Sequence, residues 1–254
     1  VNGHANTVIN NIRNSEGPSQ EIKNQAIGEA LTLKALAYFF MVRTFGEVPI
    51  IHDNTEVLTS GQYNQVYKHT RENVYDYIIL TIEKAMELLP KKTSGWDNRI
   101  DYYAAEGLLS KVYLTKAGVS GTLNQEDLKL AAKYAKDVID NSGRTLTPVY
   151  SDIFRLAPST YNQTGEPMIS WMWAAARDPW TQQNTLQSDL GMIGFSETGD
   201  LWGGWGGPSV DLMDAFGVNP LEDPRDRKDY DSRRKATIMM AGDTYEYFWT
   251  DKGG

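Results

Sequence analysis

Gly28-Glu29-Ala30-Leu31-Thr32-Leu33-Lys34-Ala35-Leu36-Ala37-Tyr38-Phe39-Phe40-Met41-Val42-Arg43-Thr44-Phe45-Gly46-Glu47-Val48-Pro49-Ile50 is the stretch on which the reading of this chain turns. It reads as a helix whose apolar residues run almost all the way round, stopped by Gly46 and followed at once by an extended strip that carries Pro49. A helix that apolar needs neighbours on nearly every side, which places it at the centre of a helical stack. Arg43 and Glu47, at its end, are expected to pair with one another or with backbone in a structural role.

Working outward, a helix over about Ala5 to Ile12 precedes it, with Val8, Ile9 and Ile12 on one side. The long helix itself runs from about Gln20 to Phe45. After a polar loop, Thr70 is an N-cap for a helix with apolar positions Val74, Tyr75, Ile78, Ile79, Ile82, Ala85, Met86 and Leu89, ended by Pro90. A further helix spans about Tyr102 to Ala117. Another starts at the cap Asn124, shows Leu128, Ala131, Ala132, Ala135, Val138 and Ile139 on one face, and closes at Asn141-Ser142-Gly143.

Two of these helices read as copies. Ala30, Leu33, Ala35 and Tyr38 are matched by Ala105, Leu108, Ser110 and Tyr113, each 75 positions later. Small, leucine, small, tyrosine is how tetratricopeptide-type helix pairs let neighbours approach while an aromatic fills the remaining gap. Each copy is followed by a second amphipathic helix, so the unit is an αα-hairpin, with a long connection (46–69) in one and a short one (118–123) in the other. The expected fold class is mainly α: a tetratricopeptide-like αα-hairpin stack over residues 1–145, then an irregular, loop-rich region with a few short strands over 146–254. The second region is the expected ligand face and reads as incomplete at the C-terminus.

The texture changes beyond Gly143. Prolines at 148, 158, 167, 179, 208, 220 and 224 break the chain into short pieces. Met168 to Trp173 alternates like a half-buried strand with Ile169, Trp171 and Trp173 on one side. Leu201 to Pro208 is a glycine-rich loop, and Ser209 to Phe216 a short helix. Long irregular segments inside a compact domain are commonly functional.

Composition narrows the function. Net charge is −8, from 33 acidic and 25 basic residues without a basic cluster, so nucleic acid is not an expected partner. Zero cysteines exclude disulfides, thiolate metal sites and cysteine nucleophiles. The longest apolar stretch, Ala35 to Val42, is too short to span a bilayer. Three histidines, His4, His52 and His69, lack zinc-binding spacing and read as surface residues. The Glu222–Asp231 run alternates acids with bases and reads as a solvated or salt-bridged loop rather than a calcium site. No phosphate loop, dinucleotide fingerprint or nucleophile elbow is present. No cofactor and no metal are expected. The chain opens Val1-Asn2-Gly3-His4 and closes just beyond the aromatic strip Tyr245–Trp249, and is expected to be a slice of a longer protein.

Five of the seven tryptophans lie between positions 171 and 205. Indole faces stack on the apolar faces of sugar rings, and the ring N–H is left for a hydroxyl. Trp180, Trp202 and Trp205 are the candidate platform, with Gln182, Gln183 and Asn184 supplying amide hydrogen bonds beside it. The competing reading makes the tryptophans plugs between the helical stack and the irregular region, and it is the preferred one for Trp171 and Trp173.

Several blocks together resemble the SusD/RagB family of outer-membrane nutrient-binding lipoproteins. They are Asn6-Thr7-Val8-Ile9, the Gly28–Ile50 segment, Ala105-Glu106-Gly107-Leu108-Leu109-Ser110-Lys111-Val112-Tyr113-Leu114, Ala131–Ile139, Glu166-Pro167-Met168-Ile169, Gly207–Phe216 and Asp223-Pro224-Arg225, in the family's order. The resemblance implies a tetratricopeptide-like scaffold with a ligand face of loops. It also implies a non-catalytic protein on the outer surface of the Bacteroidetes outer membrane. Such a protein captures a glycan and passes it to a SusC-like TonB-dependent transporter. The lipidated cysteine that anchors such proteins is absent from this chain, so membrane attachment rests on the family alone. Alternatives are a RagB-like peptide importer, a pure tetratricopeptide adaptor and, remotely, a glycoside hydrolase, for which no carboxylate pair is singled out.

Overall fold

The computed structural model describes residues 1–155, 164–171, 207–218, 221, 231–238, 240 and 243, and every structural statement below concerns these. Two compact units are present: Val1–Leu146 with Asn162–Ser170, and Thr147–Tyr161 with Trp171–Gly254.

The first unit is a helical stack. Its helices are α1 (Asn2–Asn14), α2 (Gln20–Phe45), α3 (Asn54–Thr59), α4 (Arg71–Leu88), α5 (Tyr102–Lys116) and α6 (Gln125–Asn141). Side-chain caps start most of them. Ser19 accepts from Ile22 N–H, Thr70 from Asn73 N–H, Asp101 from Ala104 N–H, and Asn124 from the N–H groups of Glu126 and Asp127. Gly46, at φ +74, ends α2. α1 packs on α2, α2 on α4, α4 on α5 and α5 on α6, so the order in space follows the order in sequence. The fold is mainly helical, as the residue pattern implied.

The expected hairpins are α2/α4 and α5/α6. Ala35, Tyr38, Phe39 and Val42 meet Val74, Ile78, Ile82 and Ala85 in one continuous core with Ala104, Ala105, Leu109 and Val112. The repeated tyrosines keep different company: Tyr38 sits edge-on to Tyr77, whereas Tyr113 stacks face to face on Tyr134 at 5.8 Å. Ser110, which replaces Ala35 in the second copy, donates its hydroxyl proton to the Ala131 carbonyl on α6 at 2.8 Å.

Several expectations change. α2 is not enclosed all round: Phe40 and Phe45 are exposed, because α1, α4 and α5 leave one stripe of it uncovered. On α1, Ala5 and Asn6 are buried with Ile9 while Val8 is exposed. On α6, Leu130 and Tyr134 face the core with Ala131, and Ile139 points to solvent. The long α2–α4 connection is ordered rather than purely polar loop. It forms α3, capped by Asp53, and a two-residue antiparallel pairing of β1 (Val48–Pro49) with β2 (Lys68–His69). Arg43 lies over the Phe39 ring at 4.9 Å and makes no pair with Glu47. All three histidines are exposed.

In the second unit the described elements are α7 (Asp152–Arg155), α8 (Val210–Ala215, capped by Ser209) and α9 (Ser232–Thr237, capped by Asp231). Arg234 is buried and donates to both carboxylate oxygens of Asp243, at 2.5 and 2.9 Å. No described helix is long and apolar enough to cross a membrane.

Candidate functional site

Trp180, Trp202, Trp205, Gln182, Gln183 and Asn184 all lie outside the described residues. What the structure describes is the ground on which the tryptophan-bearing segment starts. Asp101 sits fully buried at the head of α5. One carboxylate oxygen accepts the Ala104 N–H at 2.9 Å and the other the Arg144 Nη2 proton at 2.5 Å. Arg144 Nη1 donates to the Gly165 carbonyl, and the guanidinium lies over the Trp96 ring at 5.5 Å. The Thr145 N–H donates to the Thr164 carbonyl at 3.0 Å.

Gly165 is at φ +65, and a Cβ there would stand 2.5 Å from the Trp96 indole, so only glycine lets the chain pass this ring. Three residues on, the Met168 methyl lies 2.8 Å from where a Cβ on Gly107 would be, and Ile169 packs against the main core. The segment 164–170 is thereby pinned to the helical scaffold. Over 168–171 it bends instead of forming the expected strand. The large alternating side chains reflect individual anchor points, Met168 on Gly107 and Ile169 on the core, rather than a sheet face. Trp171 is 66% exposed, which overturns its expected role as a buried plug.

A concavity lies elsewhere on the scaffold, between α1, α2 and α4. Its volume is about 400 Å³, and its wall includes Asn6, Arg13, Lys34, His52, Tyr77 and Thr81. The Tyr77 ring lines it, edge-on to both Tyr38 and His52, each 5.2 Å away. Burial and the neighbouring Tyr38 push the Tyr77 phenol up to about 12, so it stays a neutral donor. Burial, then the charge of Lys34, holds the His52 imidazole below its ordinary value. Sequence reading passed over this site. Its one signal was Lys34, a charge set in the apolar run Leu33 to Met41.

Comparison with known proteins fits the fold. The family model SusD-like_3, described as "Starch-binding associating with outer membrane", matches residues 3–114. A SusD-like protein of Bacteroides ovatus is 34% identical over 257 aligned residues, covering 98% of this chain and 43% of that protein. One crystal structure superposes with a TM-score of 0.80 at 32% identity, over 98% of this chain and 46% of its own. Another, determined with xylogluco-oligosaccharide, superposes at 0.79 and 30%, over 99% of this chain and 47% of its own. The chain belongs to the SusD/RagB family. It spans less than half the length of these relatives.

Proposed function

We propose that this chain is part of a non-catalytic surface protein that captures a glycan and passes it to a partner TonB-dependent transporter, lipid-anchored on the outer face of the outer membrane. The observation that carries this reading is the likeness, over 99% of the chain, to a structure determined with xylogluco-oligosaccharide. The family description, starch-binding and associating with the outer membrane, supports the same class of ligand and the same location. Trp180, Trp202 and Trp205 form the stacking platform, and Gln182, Gln183 and Asn184 the hydrogen-bonding edge. None of the six is a titratable acid or base, which suits capture rather than cleavage. Residues 164–170, pinned by Arg144, Asp101 and Trp96, give the segment that follows a rigid root.

The test is a glycan panel that includes xylogluco-oligosaccharide and starch oligosaccharides, read by calorimetry. Trp202→Ala and Trp205→Ala are each expected to weaken the best ligand about fivefold or more, the loss of one stacked indole. Unchanged affinity in both variants would remove these residues from the site.

A further inference from the structure

The cavity between α1, α2 and α4 holds a charge that the fold does not neutralise. Lys34 is only 4% exposed, yet its side chain lines this space. Among the described residues, neither Lys34 nor Arg13 has a carboxylate in ion-pair range or a hydrogen-bond acceptor. The Lys34 ammonium lies over the Tyr77 ring, 5.6 Å from Nζ to the centroid. A cation–π contact offsets part of the desolvation, and the three N–H donors have no acceptor among the described residues and open on the cavity. Burial lowers the Lys34 pKa, the Arg13 guanidinium acts in the same direction, and Asp53 opposes them.

Arg13 and Lys84 bring two more cations to the same wall, which contains no acid. Of the acids that act on this wall, Asp53 is held by the head of α3 and Glu87 by Lys84, while Glu56 acts on His52. Asp53 caps α3 through the N–H groups of Thr55 and Glu56 and accepts from Asn10 Nδ2 at 2.7 Å. Glu87 holds Lys84 at 2.5 Å on the exposed rim. In a chain of net charge −8, a wall that keeps Lys34 and Arg13 without an ion-pair partner among the described residues is a local concentration of positive charge. The remainder of the wall is amphipathic: Ile9, Leu31 and Leu80 are apolar, and Thr81 and Asn6 polar. A volume of about 400 Å³ exceeds that of a bare inorganic ion and falls in the range of small-molecule sites.

We propose that this cavity binds a small organic oxyanion, a carboxylate or a sulfate ester on a compact, partly apolar body. Lys34 and Arg13 are its charge partners, and Tyr77 and Leu80 pack against the body. All of the lining residues belong to the helical scaffold.

The test uses the full chain, with glucuronate and glucose 6-sulfate as probes and glucose as the uncharged control, at ionic strength held constant with sodium chloride. Saturable binding by at least one charged probe is expected, and the probe that binds tells carboxylate from sulfate. Lys34→Met keeps the unbranched stem and removes only the charge, and is expected to weaken that binding at least tenfold. Arg13→Gln, on an exposed side chain that the core does not need, is expected to weaken it severalfold. No binding by either probe, binding equal to that of glucose, or equal binding in wild type and Lys34→Met overturns the proposal.

Discussion

At the scale of single residues, the scaffold is unusual for the ionisable groups it buries. Glu106, 2% exposed on α5, faces the Asp137 carboxylate on α6. Burial first, then the hydrogen bond and charge of Asp137, raise its pKa from 4.5 to about 7, against the weaker pull of Lys91 and Lys133. An acid whose folded pKa is raised holds its proton more tightly in the native state than in the unfolded chain. Its contribution to stability is therefore complete below about pH 4.5, falls as the pH rises, and is gone above about pH 7. Glu106→Gln keeps a donor toward Asp137 and cannot ionise. It is expected to leave stability unchanged at pH 4.5 and to raise it by about 1–3 kcal/mol at pH 8. Denaturant unfolding of both proteins across that range checks this, and an equal effect at both pH values contradicts it. Asp101 shows the opposite arrangement: also buried, it is satisfied by Arg144 and the Ala104 N–H. Neither burial was visible in the sequence, because each depends on a partner from another segment: Asp137 for Glu106 and Arg144 for Asp101.

At the scale of elements, what was legible followed from local chemistry. Ser and Thr caps, the Gly46 stop and Pro90 set helix limits because they act on their own neighbouring backbone groups. Thr70 and Asn124 cap where the pattern placed them, and Ser209, read as the first residue of its helix, is the residue that caps it. What was not legible depended on distant partners. Met168 to Trp171 alternates like a strand, but its anchors are Gly107 and the core, far away in sequence. The pairing of Val48 with His69 and the cap of Asp53 on α3 depend on a loop closing on itself. The tight contact at Gly28 gives a sharp test. A Cβ on Gly28 of α2 would stand 2.7 Å from Leu89 Cγ and 3.2 Å from the Ala85 carbonyl. Ala is favoured over Gly in a helix by about 1 kcal/mol. Even so, Gly28→Ala is expected to destabilise by about 1–3 kcal/mol, because α2 and α4 must separate. A gain in melting temperature contradicts this close packing.

At the scale of the whole molecule, the helical stack and the family were legible because their signal is spread over many core positions in fixed order. The candidate ligand residues were read from chemistry alone: aromatic faces between glycines, with amides nearby. Trp171 shows the limit of that reading, since its exposure depends on how residues 164–170 are pinned by Arg144 and Trp96 rather than on its own neighbours. The scaffold cavity around Lys34 shows the reverse limit, a site built from three helices whose members are separately unremarkable in sequence. The central claim is that a glycan is held and not cut. Calorimetry of the full chain with xylogluco-oligosaccharide and with starch oligosaccharides, followed by mass analysis of the recovered ligand, tests it most directly. The account predicts saturable heat with at least one of them and complete recovery of intact oligosaccharide. Shortened products, or no binding to any of them, would contradict it.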